Sequence, residues 1–391
     1  MPDGVPRIFM IAGETSGDHY AGGLARAILA AAPGAAVRGM GGPELADAGA
    51  AVLWDFEGLD VMGFWDVLTR LGRFRRLFRD LVADLDRDPP DAVVLVDYPG
   101  FNLRFARAAH ARGIPVIYFI SPKVWAWKPG RIKVLARYCR RMLVLFAFEE
   151  EVYRSSGLPT VCVGHPLAGE LAPYRNARPH WRRELDYPGD IRLVGLLPGS
   201  RAREVERMFP PMLAAAARLH RRFPGIRFAA GSAPGFAPDY LKGFVRPGYP
   251  PVDIIGGRTH ALMAAADALM ITSGTATLEA ALIGTPHVLC YRVGWLTYLL
   301  VKPLLHTRNV GMANIAAGRV IMPELLQSAM SPDRIADTVA AFLEDEVLRR
   351  RGAADCEALF TALRADDPYG RAAAEVLAVA GEAGHGPAGR A

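Results

Sequence analysis

Asp97 directly follows the apolar run Ala92-Val-Val-Leu-Val96 and opens the loop Asp97-Tyr-Pro-Gly-Phe-Asn102. At the carboxyl edge of a buried strand a carboxylate is partly desolvated and can act as a general base. The same position also suits a turn or cap residue, and both readings stand at this point. Asn102 reads as the start of the next helix. The loop Ile11-Ala-Gly-Glu-Thr-Ser-Gly-Asp-His19 has small residues that let a backbone approach an anion at a helix N-terminus. It reads equally as a strand-to-helix turn with Asp18 as N-terminal cap. It lacks the GxGxxG pattern, which gives little reason to expect NAD. Ser121-Pro-Lys-Val-Trp-Ala-Trp-Lys-Pro129 carries two tryptophans and two lysines. That is either an aromatic platform for sugar or acyl groups with cations for phosphate, or a loop anchored by buried tryptophan.

Two later loops share one strategy. In Leu197-Pro-Gly-Ser-Arg-Ala-Arg-Glu204, Gly199 and Ser200 offer backbone and hydroxyl donors and Arg201 adds a forked cation. This is a diphosphate cradle without the lysine of a P-loop. In Thr272-Ser-Gly-Thr-Ala-Thr-Leu-Glu279, Ser273, Gly274 and Thr275 lie at a helix start, and Glu279 follows where a carboxylate can hold a ribose diol. Each motif alone also fits a capped helix. Two in one domain favour a nucleotide diphosphate.

The elements that must position these residues alternate. Strands are expected at Arg7–Ile11, Ala92–Val96, Pro115–Phe119 and Met142–Leu145, with helices at Tyr20–Ala31 and Leu103–Arg112. After a polar stretch at Ala172–Gly189, read as a linker, strands resume at Ile191–Leu197, Ile226–Ala230, Val252–Ile255, Ala268–Ile271 and His287–Tyr291, with a helix at Glu204–Arg222. Apolar β runs alternating with helices indicate doubly wound parallel sheets. The fold class is therefore α/β: two Rossmann-like domains with a cleft between them, and a frayed tail at Gly381–Ala391.

Composition agrees with that plan. The chain has 391 residues, 51% hydrophobic and 22% charged, which suits two or three globular domains and excludes disorder over most of the length. No apolar run approaches the ~18 residues of a membrane span; Met142–Phe148 is short, and Trp295–Leu305 is broken by Lys302 and Pro303. The first residues lead straight into a strand without a signal peptide, so a soluble cytoplasmic chain is expected. Cys139, Cys162, Cys290 and Cys356 are scattered without CxxC spacing, so neither a disulfide framework nor a structural zinc site is expected. The net charge of +6 suits an anionic membrane, nucleic acid or a phosphorylated substrate.

Taken in order, the motifs resemble the lipid-A-disaccharide synthase family of GT-B glycosyltransferases. The matching stretches are Ala12-Gly-Glu-Thr-Ser-Gly-Asp18, Gly39-Met-Gly-Gly-Pro43, Val61-Met-Gly63, Asp97-x-Pro-x-Phe-Asn102, Ser121-Pro-Lys-Val-Trp-Ala-Trp127 and Val163-Gly-His-Pro166. They continue with Leu197-Pro-Gly-Ser-Arg201, Ser273-Gly-Thr-Ala276 with Glu279, and Pro323-Glu-Leu-Leu-Gln327. One departure is Ala313 in Gly311-Met-Ala-Asn314, where the family has proline. The resemblance implies transfer of a sugar from UDP-2,3-diacylglucosamine to 2,3-diacylglucosamine 1-phosphate, with inversion, giving a β-1,6-linked disaccharide phosphate and UDP. It implies no metal or other cofactor. Asp97 becomes the base candidate, with His19 and Glu14 behind it. Gly199, Ser200, Arg201, Ser273, Gly274 and Thr275 become diphosphate candidates, Glu279 the ribose candidate and Asn314 a donor-site residue. His165 is read either as a site residue or as a hinge hydrogen-bonder.

The implied organisation is an acceptor and membrane-facing domain at 1–171, a UDP-sugar domain at 172–345, and C-terminal helices at 346–391. Those helices either pack back or are exchanged in a homodimer. A UDP-sugar epimerase of similar architecture and a non-catalytic UDP-sugar-binding protein are the alternatives. No basic tail or known module points to nucleic acid. The stretch Phe64–Ala83 is an amphipathic helix in which Phe64, Val67, Leu68, Leu71, Phe74, Phe78 and Leu81 recur at helical spacing beside Arg70, Arg73, Arg75, Arg76 and Arg79. It reads as a surface helix packed on the first domain. A diacylated acceptor in a bilayer also makes it a contact for the anionic cytoplasmic face of the inner membrane.

Overall fold

The computed structural model describes residues 5–56, 64–125, 129–187, 189–233, 235–294 and 309–383. The chain divides into two compact units, Met1–Pro166 with Ala365–Ala391, and Leu167–Arg364.

In the first unit, β1 (Arg7–Ala12), β2 (Ala36–Gly41), β3 (Ala51–Asp55), β4 (Ala92–Val96), β5 (Val116–Phe119), β6 (Arg141–Val144) and β7 (Thr160–Cys162) form one parallel sheet. Its order is β3-β2-β1-β4-β5-β6-β7. The all-apolar β4 is buried throughout, because helices cover both faces of a parallel sheet. Ala12 lies beside Val96 in the β1–β4 register. The winding direction reverses between these two strands, so the loops leaving them flank the switch point where open α/β sheets bind ligands.

The second unit repeats the plan. Strands β8 (Leu193–Leu197), β9 (Arg227–Ser232), β10 (Val252–Gly256), β11 (Ala268–Thr272), β12 (His287–Tyr291) and β13 (Glu324–Leu326) are ordered β10-β9-β8-β11-β12-β13, all parallel. Leu197 pairs with Ile271. The two diphosphate-type motifs therefore leave adjacent strands at this unit's own switch point. Both doubly wound sheets match the expected fold class.

Three segments differ from expectation. The presumed linker contains the helix Arg178–Glu184. Its buried Arg182 pairs with Asp267 at 2.6 Å and donates to the carbonyls of Ala265 and Gly189, so a stretch that reads as solvated is pinned by an arginine. The C-terminal segment is not one body: helix Glu346–Leu363 lies in the second unit, whereas Pro368–Ala383 lies in the first and packs on helix Thr15–Ala31. That helix also includes the start of the expected tail.

The helix Phe64–Arg87 forms as its periodicity predicts. Phe74, Leu77, Phe78 and Val82 pack with buried Leu81 and Leu85 on the unit's core, and Phe78 meets Phe101 and Phe105 edge-on at 5.6 and 6.0 Å. This half of the stripe is core, while Arg73, Arg75, Arg76 and Arg79 are exposed. The side chains of Phe64–Leu71 lie outside the described part, as do Val61–Gly63, Trp127 and Trp295–Leu305. Among the described residues no helix is long and apolar enough to cross a membrane.

Candidate active site

At the switch point of the first unit, Asp97 and Tyr98 both take left-handed backbone conformations, φ 43° and 46°. Such a pair persists only where its surroundings determine it. The Asp97 carbonyl accepts from Tyr118 Oη at 2.5 Å and from Asn102 Nδ2 at 2.8 Å, and Asn102 Nδ2 also reaches the Val96 carbonyl at 3.1 Å. Asn102 is fully buried, and among the described residues its Oδ1 has no partner. Asn102 thus does more than begin a helix. The Tyr98 ring lies against Gly13, where any side chain would overlap it. Burial, then the negative charge of Glu14, pushes the Asp97 carboxyl up to about 6, with Lys123 and a backbone N–H pulling it down. Glu14, Asp97 and Lys123 are therefore electrostatically coupled at one sheet edge.

Asp18 caps a helix other than its own. It lies within Thr15–Ala31, and its buried carboxylate accepts from the N–H groups of Gly42 at 2.7 Å, Glu44 at 2.9 Å and Leu45 at 3.3 Å. Two sequence motifs are joined there. His19 lies beside Glu44, Nδ1 to Oε1 3.8 Å, and edge-on to Tyr20. His165 is buried against Phe146 and Tyr20. Trp125 Nε1 donates to Glu149, whose carboxyl burial pushes up to about 7. This tryptophan anchors its loop on helix Ala147–Arg154.

In the second unit a cavity of about 460 Å³ opens at the β8/β11 switch point. Gly199, Ser200, Ser273, Gly274, Thr275 and Glu279 all line it. These six predicted residues come together. The lining also includes polar and charged residues that sequence reading missed, among them Tyr174, Glu204, Arg258, Thr259, His260 and Thr272. His260 Nε2 is 3.3 Å from Glu279 Oε2, and Tyr174 meets the His260 ring edge-on. Glu204 and Thr272 sit inside the quoted motifs. His260 lies in the first turn of helix Thr259–Ala265 after β10, a position that could have marked it.

Arg201 and Asn314 are placed differently. Arg201 is the N-cap of helix Ala202–Arg222; its guanidinium is half-exposed, 3.4 Å from Glu204, and does not line the cavity. Asn314 is buried, donates to the Met322 carbonyl and Glu324, and accepts from Ile321 and Met322. Its whole amide is engaged within the protein, holding Glu324, which in turn accepts from Val310 and Gly311. Ala313 occupies the first turn of helix Met312–Ala316, where the helix makes no use of the N–H. Alanine and proline therefore both fit. Among the described residues no His, Cys, Asp or Glu cluster suits a metal ion.

The fold has solved counterparts. It superposes on a UDP-GlcNAc 2-epimerase from Neisseria meningitidis bound to UDP-GlcNAc with a TM-score of 0.58 at 11% identity, covering 97% of this chain and 99% of that one. The calicheamicin glycosyltransferase CalG4 gives 0.58 at 17% identity, covering 98% and 100%. These establish a GT-B-type fold and nothing finer. Sequence is more discriminating. A lipid-A-disaccharide synthase of Alkalilimnicola ehrlichii is 41% identical over 383 residues, 96% of this chain and 99% of its own length. One from Trichlorobacter lovleyi is 39% identical over 339 residues, 87% and 88% of the two chains. The family description lipid-A-disaccharide synthetase matches residues 8–375, so the chain belongs to this family and is a glycosyltransferase of lipid A synthesis.

Proposed function

We propose that the chain joins UDP-2,3-diacylglucosamine to 2,3-diacylglucosamine 1-phosphate, giving the β-1,6-linked disaccharide 1-phosphate and UDP in one inverting displacement. The observation that carries this reading is Asp97, a carboxylate raised to about 6 at the end of β4. Such a group takes a proton from the acceptor hydroxyl near neutral pH. The hydroxyl oxygen bonds to the anomeric carbon as the bond to the diphosphate breaks, and attack opposite an α-linked leaving group gives the β product. Negative charge then grows on UDP. Gly199, Ser200, Ser273, Gly274 and Thr275 meet the diphosphate with N–H groups and hydroxyls, with Arg201 as nearby countercharge. Glu279 holds the ribose diol. Glu14 and Lys123 tune Asp97, His19 is the reserve base, and Asn314 acts through the loop it holds.

Incubation with both acylated substrates is expected to yield disaccharide and UDP, with a β-anomeric proton in the product spectrum. A new hexosamine epimer would support the epimerase alternative, and binding without turnover a sensor.

The same proposal places the protein on the cytoplasmic face of the inner membrane, as a homodimer. A diacylated acceptor resides in a bilayer, and each exposed arginine near an anionic surface contributes about 1 kcal/mol. Arg73, Arg76 and Arg79 are exposed along one helix. Their replacement by serine is expected to weaken salt-sensitive binding to phosphatidylserine vesicles by about 10-fold or more, with unchanged UDP affinity. Equal vesicle binding by the variant would reduce the helix to a structural element.

A further inference from the structure

The cavity of the second unit has a carboxylate, a charge of the wrong sign for its proposed ligand, directly beside the donors proposed to hold the diphosphate. Glu204 lines it together with Gly199, Ser200, Ser273, Gly274 and Thr275. Its Oε2 accepts from the Ser200 N–H at 3.3 Å, and its Oε1 lies 3.4 Å from Arg201 Nη1. Gly199, at φ 122°, leaves room for this carboxylate: a Cβ there would stand 2.8 Å from Oε2. Glu279, the other carboxylate in the cavity, faces His260. Glu204 faces the donors of the helix N-terminus. The cavity also presents Thr272, whose buried Oγ1 has no partner among the described residues. That hydroxyl marks the wall as one built for a polar ligand.

We propose that Glu204 is a resident competitor for the donors that hold the departing diphosphate, so that its carboxylate limits UDP affinity and speeds product release. This rests on the UDP reading above. A diphosphate that takes the Ser200 N–H and the Arg201 guanidinium must displace Glu204 from both or share them with it. Because the carboxylate is only 18% exposed, its repulsion is incompletely screened. After transfer, the return of Glu204 to Ser200 and Arg201 restores the bonds that UDP vacates, so the loop keeps its donors satisfied while the product leaves. A carboxylate that only capped the helix would act in the opposite direction, and its removal would loosen the loop and weaken UDP.

The two roles separate in Glu204→Gln, which keeps length and one acceptor oxygen but loses the charge. Titration calorimetry is expected to show UDP bound about 3- to 10-fold more tightly, with a matching fall in its dissociation rate. Uridine, which lacks the diphosphate, should bind the variant and the parent alike. UDP affinity that is unchanged or weaker in Glu204→Gln overturns the inference while leaving the nucleotide site intact. Tightening of UDP and uridine together also overturns it, since that reports a general change in the cavity. Absence of UDP binding in the parent protein itself would instead remove the nucleotide reading, and this inference with it.

Discussion

Asp97→Asn is expected to lower turnover by about 10²–10⁴-fold while leaving UDP binding unchanged and raising stability. Asparagine keeps the shape of the side chain and tolerates the left-handed backbone that Asp97 adopts at φ 43°. It cannot take a proton from the acceptor. In the parent enzyme the rate should rise with pH through about 6 as Asp97 ionises, and this limb should vanish in the variant. The stability effect follows from the same shift. The folded protein holds the Asp97 proton more tightly than the unfolded chain does. That contribution is complete below the ordinary aspartate range and is lost as pH rises through about 6. At pH 8 the ionised, half-buried carboxylate therefore destabilises the fold, by up to about 3 kcal/mol for a shift of roughly two units. Replacement by asparagine should recover part of that, read as a higher denaturation midpoint. Asp97→Ala is the less clean variant, because alanine in a left-handed conformation costs roughly 1–2 kcal/mol. Near-normal turnover in Asp97→Asn would move the base to His19 or Glu14.

The positions that proved readable in the sequence are those whose physics is local. β4, β8 and β11 are covered on both faces and so appear as continuous apolar runs. The polar residues that follow them necessarily land at a sheet edge. Strand β3 alternates between exposed and half-buried residues and carries an exposed Leu53, while β7 and β13 have three residues each at sheet edges. Little in such segments distinguishes strand from loop until a neighbour supplies hydrogen bonds. The candidate sites divide in the same way. Gly199, Ser200, Ser273, Gly274, Thr275 and Glu279 share a cavity because their two strands are neighbours, which alternating elements predict. Arg182 could not be read as buried, because its partner Asp267 is 85 residues away in sequence. Asn314 matches the family pattern, but its hold on Ile321, Met322 and Glu324 was not legible, because those partners lie beyond its own helix and become neighbours only in the fold.

Asp18→Ala is expected to destabilise the first unit by about 3–5 kcal/mol, a large share of a typical domain's stability. The prediction rests on which groups would be orphaned. Helix Pro43–Asp47 has only five residues, begins with a proline, and has no cap from its own N-cap residue, Gly42. Too short to persist alone, it depends on a partner for its first-turn N–H groups. The Asp18 carboxylate is that partner, and all three of its hydrogen bonds cross from one helix to another. Bonds to a charged acceptor contribute more than neutral ones, and removing the acceptor leaves buried donors unsatisfied. Asp18→Asn should lose less, about 1–3 kcal/mol, since one amide oxygen can still accept while the amide nitrogen faces other donors. Both values are read from guanidinium denaturation midpoints at an unchanged slope. Glu44, on the capped helix, lies 3.8 Å from His19 and 3.7 Å from Arg26, so loosening this helix should also disturb His19. A loss below about 1 kcal/mol for Asp18→Ala would mean that water replaces the carboxylate at little cost. The two sequence motifs would then be held together by packing alone.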